Sequence, residues 1–139
     1  MSEIEGRHDA WLHQAEEDLR WGRDSLTSGH FSQACFIAQQ VGDKAIKALV
    51  IYRGLGLIKS NSIAELANKL EVDRTVYEMG LVLDPYYNSG RYTENTPGAT
   101  APVERFTKQM AESALSCGQY IFDQVATEIR AIGAPSGST

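Results

Sequence analysis

Histidine and cysteine are scarce in this sequence, and their placement argues against several kinds of site. The 139 residues include three histidines, all in the first quarter of the chain, and two cysteines. His8 and His13 are five residues apart, so they do not share a helical face suited to a metal ion. Cys35 and Cys117 lie in apolar-periodic stretches, as expected of buried thiols in a reducing compartment. We therefore expect no metal, no cofactor and no catalysis by histidine.

The chain also lacks a long apolar run and an excess of positive charge. No segment approaches the roughly 18 residues of a membrane span, and the acidic N-terminus does not have the pattern of a signal peptide. Thirteen basic and 18 acidic residues give a net charge of −5, which argues against broad non-specific nucleic-acid binding but allows a local basic site. With 42% hydrophobic residues in a length typical of one domain, the sequence predicts a single cytoplasmic domain without a membrane partner.

Apolar residues recur at helical spacing along most of the chain, and no segment shows the alternation of a strand. The first predicted helix covers residues 7–27 and ends at Ser28-Gly29, and the second covers 31–53 and ends at Gly54. Small residues on the second helix allow another helix to approach closely, either in a second copy of the chain or within the same one. These residues are Ala34, Ala38, Gly42, Ala45 and Ala48.

Capping signals mark two shorter helices. The Ser-x-x-Glu sequence at Ser62 predicts a helix over residues 62–70. Asp73 is placed to cap another helix over 74–87. Five of its residues are expected to point inward: Val76, Tyr77, Gly80, Leu81 and Leu83.

A long irregular stretch, residues 88–101, precedes the last predicted helix, which begins at Pro102 and reaches about Arg130. Its apolar stripe is Val103, Phe106, Met110, Ala114, Cys117, Ile121 and Val125. The pattern predicts an all-α, up-and-down bundle of four to five helices over residues 1–130 and a flexible tail over 131–139.

Two clusters carry candidate chemistry. On the second helix, Asp43 and Lys47 have the i,i+4 spacing of an acid–base pair, with Lys44 beside them. This spacing is typical of a solvated helix face, where such a pair contributes a few tenths of a kcal/mol. The alternative is that all three residues line a binding site.

The second cluster lies at the mouth of the long irregular stretch, where Arg91 follows Tyr86 and Tyr87 and precedes Tyr92. A guanidinium among tyrosines is suited to grip a phosphate while a ring stacks on a base. The alternative is that Arg91 hydrogen-bonds helix-end carbonyls while the tyrosines fill the end of the bundle.

Asp43 and Asp84 are the candidate carboxylate partners of Arg91 within the fold. If one such acid faces Arg91, Lys44 and Lys47, this region carries net positive charge.

The order of three segments resembles the HEPN domain family over residues 8 to 128. The segments are Ala15-Glu16-Glu17-Asp18-Leu19, then Gly29-His30-Phe31-Ser32-Gln33-Ala34-Cys35-Phe36 followed by Gln39-Gln40 and Asp43-Lys44-Ala45-Ile46-Lys47-Ala48-Leu49, and finally Tyr87-Asn88-Ser89-Gly90-Arg91-Tyr92. The resemblance implies a helical bundle, commonly a homodimer, often encoded beside a small nucleotidyltransferase as a toxin–antitoxin-like pair. It also implies that many members are metal-independent ribonucleases, whose signature is an arginine followed four to six residues later by histidine.

The sequence departs from this pattern at the expected histidine. Arg91 aligns with the family's arginine, but no histidine follows His30 anywhere in the chain. Ser62 stands where many members carry another histidine. We therefore expect no catalytic residue.

Our leading hypothesis is a non-catalytic HEPN-type module that binds a nucleotide or RNA phosphate, or a nucleotidyltransferase partner. Its ligand-binding residues would be Arg91, Tyr87, Tyr92, Asp43, Lys44 and Lys47. One alternative is a ribonuclease that uses Arg91 and nearby tyrosines without histidine, and another is a purely structural bundle that dimerises.

Overall fold

A computed structural model of the chain describes residues 3–56, 59–89 and 106–133, and every regular element within them is an α-helix. The elements are α1 (Glu3–Thr27), α2 (Phe31–Tyr52), α3 (Ile63–Leu70), α4 (Arg74–Leu83), α5 (Pro85–Ser89) and α6 (Lys108–Gly133). The predicted all-α bundle is confirmed. The predicted helix start at Pro102, its residue Val103 and the tail beyond residue 133 lie outside the described residues.

α1 and α2 form an antiparallel pair because a short turn reverses the chain at the predicted boundary. Gly29 takes a φ of +83°, in the left-handed region that favours glycine. The His30 N–H then donates to the Ser25 carbonyl at 2.8 Å, which closes α1. At the other end of the pair, the rings of His8 and Tyr52 meet edge to face with centroids 5.2 Å apart.

α2 is the central helix of the bundle and contacts all five of the other described helices. Its small residues are buried within the chain. A Cβ atom added at Gly42 would lie only 2.9 Å from Ile63 Cδ1 and 3.1 Å from Leu83 Cδ1. The close approach that the small residues permit is therefore used inside one chain, so they give no support to a homodimer.

α6 lies against α2 and runs in the same direction. A Cβ added at Gly118 would lie 3.0 Å from the Ala38 carbonyl oxygen, while Arg53, just after α2, pairs with Glu128 further along α6. The helix begins after Thr107, whose hydroxyl accepts from the Met110 N–H at 3.1 Å. The described part of the predicted stripe is buried or half-buried, as expected. None of the described helices has both the length and the apolar character needed to cross a membrane.

The predicted capping signals are both used. The Ser62 hydroxyl accepts from the Glu65 N–H at 3.0 Å, and the Asp73 carboxylate accepts from the Thr75 N–H at 3.3 Å. The Ser62 N–H donates to the Ser60 hydroxyl at 3.0 Å, and that hydroxyl in turn donates to the Glu65 carboxylate. The capping box at Ser62 therefore closes through Ser60 and not by a direct return bond from Glu65.

The single helix predicted over residues 74–87 is wrong, because the chain forms two helices there. α4 ends at Leu83 and α5 begins at Pro85, which has no N–H to continue the hydrogen bonding of α4. Asn88 and Ser89, predicted as irregular, belong to α5. Leu81, predicted to point inward, is 51% exposed. A Cβ at Gly80 would meet the Ala64 nitrogen at 2.8 Å, so α4 packs on α3 through Gly80 and turns Leu81 outward.

Candidate functional site

The predicted site residues fall partly within the described chain. Asp43, Lys44 and Lys47 lie on α2, and Tyr87 lies on α5. Arg91 and Tyr92 lie outside the described residues. The described residues on either side of that segment meet, since the rings of Tyr86 and Phe106 are 5.8 Å apart. Phe106 belongs to the hydrophobic core and Tyr86 packs against it, on α5, which contacts α2.

Asp43 and Lys47 form the predicted ion pair, with Lys47 Nζ 3.0 Å from Asp43 Oδ2. The helix face is not solvated, because the Asp43 side chain is only 12% exposed and that of Lys47 28%. Burial raises the pKa of Asp43 above its ordinary value, and the negative charge of Asp84 raises it further. The hydrogen bond and charge of Lys47 and the charge of Lys44 lower this pKa and so oppose the rise. The expectation of an exposed pair is therefore wrong, and Asp43 is a buried carboxylate that depends on Lys47.

Lys44 is held by a carboxylate that the sequence analysis did not assign to the site. Its ammonium pairs with Asp18 on α1, and the Gln14 amide donates to the other Asp18 oxygen at 3.0 Å. Asp18 is 6% exposed. The sequence does indicate that Asp18 is buried, because it follows Ala15 by three residues and precedes Gly22 by four. That spacing places Asp18 on the same inward face of α1. Lys44 therefore joins α1 to α2.

Asp84, at the junction of α4 and α5, serves as a second cap of α3. Its carboxylate accepts from the Ser62 hydroxyl at 2.7 Å and from the N–H groups of Ile63 at 2.7 Å and Ala64 at 3.3 Å. Both carboxylates that could have paired with Arg91 inside the fold, Asp43 and Asp84, thus have partners among the described residues.

The described residues supply no excess positive charge at this place. Lys44 is paired with Asp18 and Lys47 with Asp43, and the charge of Asp84 is close enough to act on Asp43. The expectation of one acid facing several cations is wrong for this part of the chain, because Asp18 neutralises Lys44 and both Asp43 and Asp84 lie here.

A row of polar residues, which we call the α2 polar stripe, follows one face of α2 at intervals of four: Cys35, Gln39, Asp43 and Lys47. Cys35 hydrogen-bonds Tyr86 of α5, and burial raises the pKa of its thiol to about 11. The thiol is therefore protonated at neutral pH and unsuited to act as a nucleophile. The Gln39 side chain is fully buried; its oxygen accepts from the Gln40 amide at 2.7 Å. Gln39 Nε2 has no hydrogen-bond partner among the described residues.

No group of three or more histidine, cysteine, aspartate or glutamate side chains within the described ranges is arranged to hold a metal ion. The α2 polar stripe and the residues around it instead form a set of hydrogen-bonded and ion-paired groups beneath α5. Such a set can position a neighbouring segment, but its described members offer no general base near a nucleophile.

Comparison with known proteins gives one family. The model of the HEPN domain family matches residues 8–129. A curated relative, "Putative toxin MJ1304" of Methanocaldococcus jannaschii, is 25% identical in an alignment of 126 residues that covers 83% of this chain and 83% of its own.

Solved structures show the same fold. TT1696 from Thermus thermophilus superposes with a TM-score of 0.80 at 34% identity, over 88% of this chain and 98% of its own. ST0689, an archaeal HEPN homologue, gives a TM-score of 0.76 at 28% identity, over 93% of this chain and 99% of its own. A HEPN domain protein of Thermotoga maritima, 20% identical, gives 0.68 over 87% of this chain and 98% of its own.

Proposed function

Because the chain belongs to the HEPN domain family, we propose that it is a non-catalytic HEPN module that binds the phosphate of a nucleotide or of RNA through Arg91. The observation that carries this proposal is that Asp43 and Asp84 are already engaged, by Lys47 and by the start of α3. A guanidinium that enters this region therefore finds its best remaining partner in an anion from outside the chain, and a phosphate matches its planar fork.

The other predicted site residues have supporting roles. In this proposal Tyr87 and Tyr92 stack on a base or orient the ligand. Asp43 and Lys47 form an ion pair on α2, and Lys44 joins this part of α2 to α1 through its ion pair with Asp18. Arg91 is the source of the positive charge, because the lysines are neutralised by their own partners.

Catalysis is not part of the proposal, because the chain has no histidine after His30. Proton transfer by a positioned histidine contributes about 10²–10⁴ in rate, so a site without one is expected to cleave RNA weakly at best. A ribonuclease that works through Arg91 and nearby tyrosines alone is the competing hypothesis.

A second element of the proposal concerns partners. The curated relative is named as a toxin, which favours a role in a toxin–antitoxin-like pair. We propose a small nucleotidyltransferase as the partner and a homodimer as the working form, as the family resemblance implies. Co-purification of the chain with the product of an adjacent nucleotidyltransferase gene tests the pairing.

Titration of a fluorescent single-stranded RNA tests the site. We expect Arg91→Ala to weaken binding at least tenfold and Arg91→Lys not to restore it, because the planar fork is lost. Arg20→Ala is the matched control, since Arg20 is an exposed arginine of α1 that pairs only with Glu17 in the described structure. Binding should also weaken steeply as salt is raised.

The same samples, incubated with RNA in the absence of metal, test catalysis. Robust cleavage that disappears in Arg91→Ala would replace the proposal by the ribonuclease hypothesis. Unchanged binding by Arg91→Ala, together with a melting temperature lowered by several degrees, would show that Arg91 is a structural cap and that the site assignment is wrong.

A further inference from the structure

A cavity of about 590 Å³ opens between the N-terminal half of α1 and the C-terminal end of α2. Trp11 of α1 lines it opposite Val50 and Ile51 of α2, and Lys47, Lys59 and Asn61 also line it. Its volume falls within the range of small-molecule sites, roughly 300–1,000 Å³. Trp11, Val50, Ile51 and Lys59, which line it, have no role in the proposed phosphate site.

The wall of the cavity is aromatic and aliphatic. The Trp11 side chain is half-buried and packs against the hydrophobic core, so the core fixes its position. Val50 is 3% exposed and belongs to the core itself. A rigid indole beside a fixed aliphatic surface is suited to hold a flat ring, because such a ring can stack on one and pack on the other.

Lys59 is the source of positive charge in the cavity, because Asp43 neutralises Lys47. Lys47 and Lys59 both line it, and no aspartate or glutamate does so among the described residues. Asp43 fixes the Lys47 ammonium from within α2. Lys59 is exposed and forms no ion pair with another described residue. The uncompensated charge of Lys59 favours an anion at this end of the cavity.

These observations together point to one class of ligand. We propose that the cavity binds a small aromatic anion, a flat ring bearing a carboxylate, with the ring against Trp11 and the carboxylate at Lys59. Of the residues assigned to the proposed phosphate site, only Lys47 lines this cavity, so Lys59 distinguishes the two sites.

The test uses the Trp11 indole as a reporter. The chain has two tryptophans, and Trp21 is 52% exposed, so Trp21→Phe leaves a single indole N–H signal in a ¹⁵N-resolved NMR spectrum. Titration with 2-naphthoate should shift that signal saturably, and the neutral 2-naphthamide should bind about tenfold more weakly. The reciprocal variant Trp11→Phe, in which only Trp21 reports, should show no saturable shift.

Lys59→Gln in the Trp21→Phe background should weaken 2-naphthoate binding about fivefold to tenfold. The matched control is Lys69→Gln, an exposed lysine in the last turn of α3, which should leave binding unchanged. Arg91→Ala should also leave it unchanged, so a failure of the phosphate site and a failure of this site can be told apart. Equal binding of naphthoate and naphthamide, or equal effects of the two lysine variants, would overturn the proposal.

Discussion

The Asp84 carboxylate accepts a hydrogen bond of 2.7 Å from the Ser62 hydroxyl, so the residue just after α4 also caps the start of α3. Asp84 accepts from the Ile63 N–H at 2.7 Å as well. An anion at a helix N-terminus is favoured by the helix dipole and by the unpaired N–H groups there. Ser62 stands where the family resemblance leads one to expect a histidine, and here that position joins two helices.

Removing this junction should destabilise the fold. We expect Asp84→Ala to lower the free energy of unfolding by about 2 kcal/mol and Ser62→Ala by about 1 kcal/mol, since each removes a cap from α3. The double variant should lose less than the sum, because the two side chains bond each other. Urea denaturation measures all three variants. Fully additive losses would contradict a shared cap.

The pKa of Asp43 makes a prediction about pH. Because burial raises this pKa in the folded state above the ordinary value of 3.8, the folded chain holds the proton more tightly than the unfolded chain. The stability that this proton confers is fully present below pH 3.8 and is lost as pH rises through the raised pKa. The asparagine side chain cannot ionise, so we expect the Asp43→Asn variant to gain stability relative to wild type as the pH rises from 3.8 through the raised pKa.

Thermal unfolding of wild type and Asp43→Asn at a series of pH values measures the difference. Asp24→Asn, at an exposed aspartate of α1, is the control and should track the wild type. A wild-type-minus-variant difference that does not change with pH would show that Asp43 has the same proton affinity folded and unfolded.

The ion pair between Arg53 and Glu128 gives the opposite pH dependence. The Arg53 guanidinium donates to both Glu128 oxygens, at 2.8 and 2.7 Å, and to the Leu70 carbonyl at 2.6 Å. The hydrogen bond from Arg53 holds the pKa of Glu128 below its ordinary value of 4.5. The stability from this pair is therefore present above pH 4.5 and is lost as pH falls through the lowered pKa.

Glu128→Gln should lower the free energy of unfolding at pH 7 by about 0.5–1 kcal/mol, since both side chains are about one-third exposed and solvent weakens the pair. The deficit relative to wild type should shrink in acid. Glu78→Gln is the control, because Glu78 and Arg74 are 3.6 Å apart and largely exposed. If Glu128→Gln lowers the free energy of unfolding no more than the control does, the bidentate geometry of the Arg53–Glu128 pair adds nothing to stability.

Assembly is the last prediction. The proposed homodimer should give twice the chain mass of 15.3 kDa by light scattering at tens of micromolar. A monomer at that concentration would rule out the dimer and any site shared between two copies. The small residues of α2 give no information on dimerisation, because they are buried by packing within one chain.

Much of the fold could be predicted from local signals. Helical spacing placed α1 and α2 to within a few residues, because an apolar stripe must be buried wherever the helix packs. Gly29 ends α1 and Ser62 caps α3 for reasons contained in a few neighbouring residues. The i,i+4 pair of Asp43 and Lys47 is likewise local. The family resemblance needed only the order and spacing of such segments.

The tertiary structure decided the features that depend on what a residue meets from another helix. Asp43 is buried instead of exposed because α2 is enclosed by five helices, and Lys44 is neutralised because Asp18 of α1 faces it. Gly80 packs against the α3 backbone and turns Leu81 outward, which the spacing along α4 could not show. Periodicity fixes which residues share a face, but burial, charge balance and the cavity at Trp11 arise from neighbours far apart in the chain.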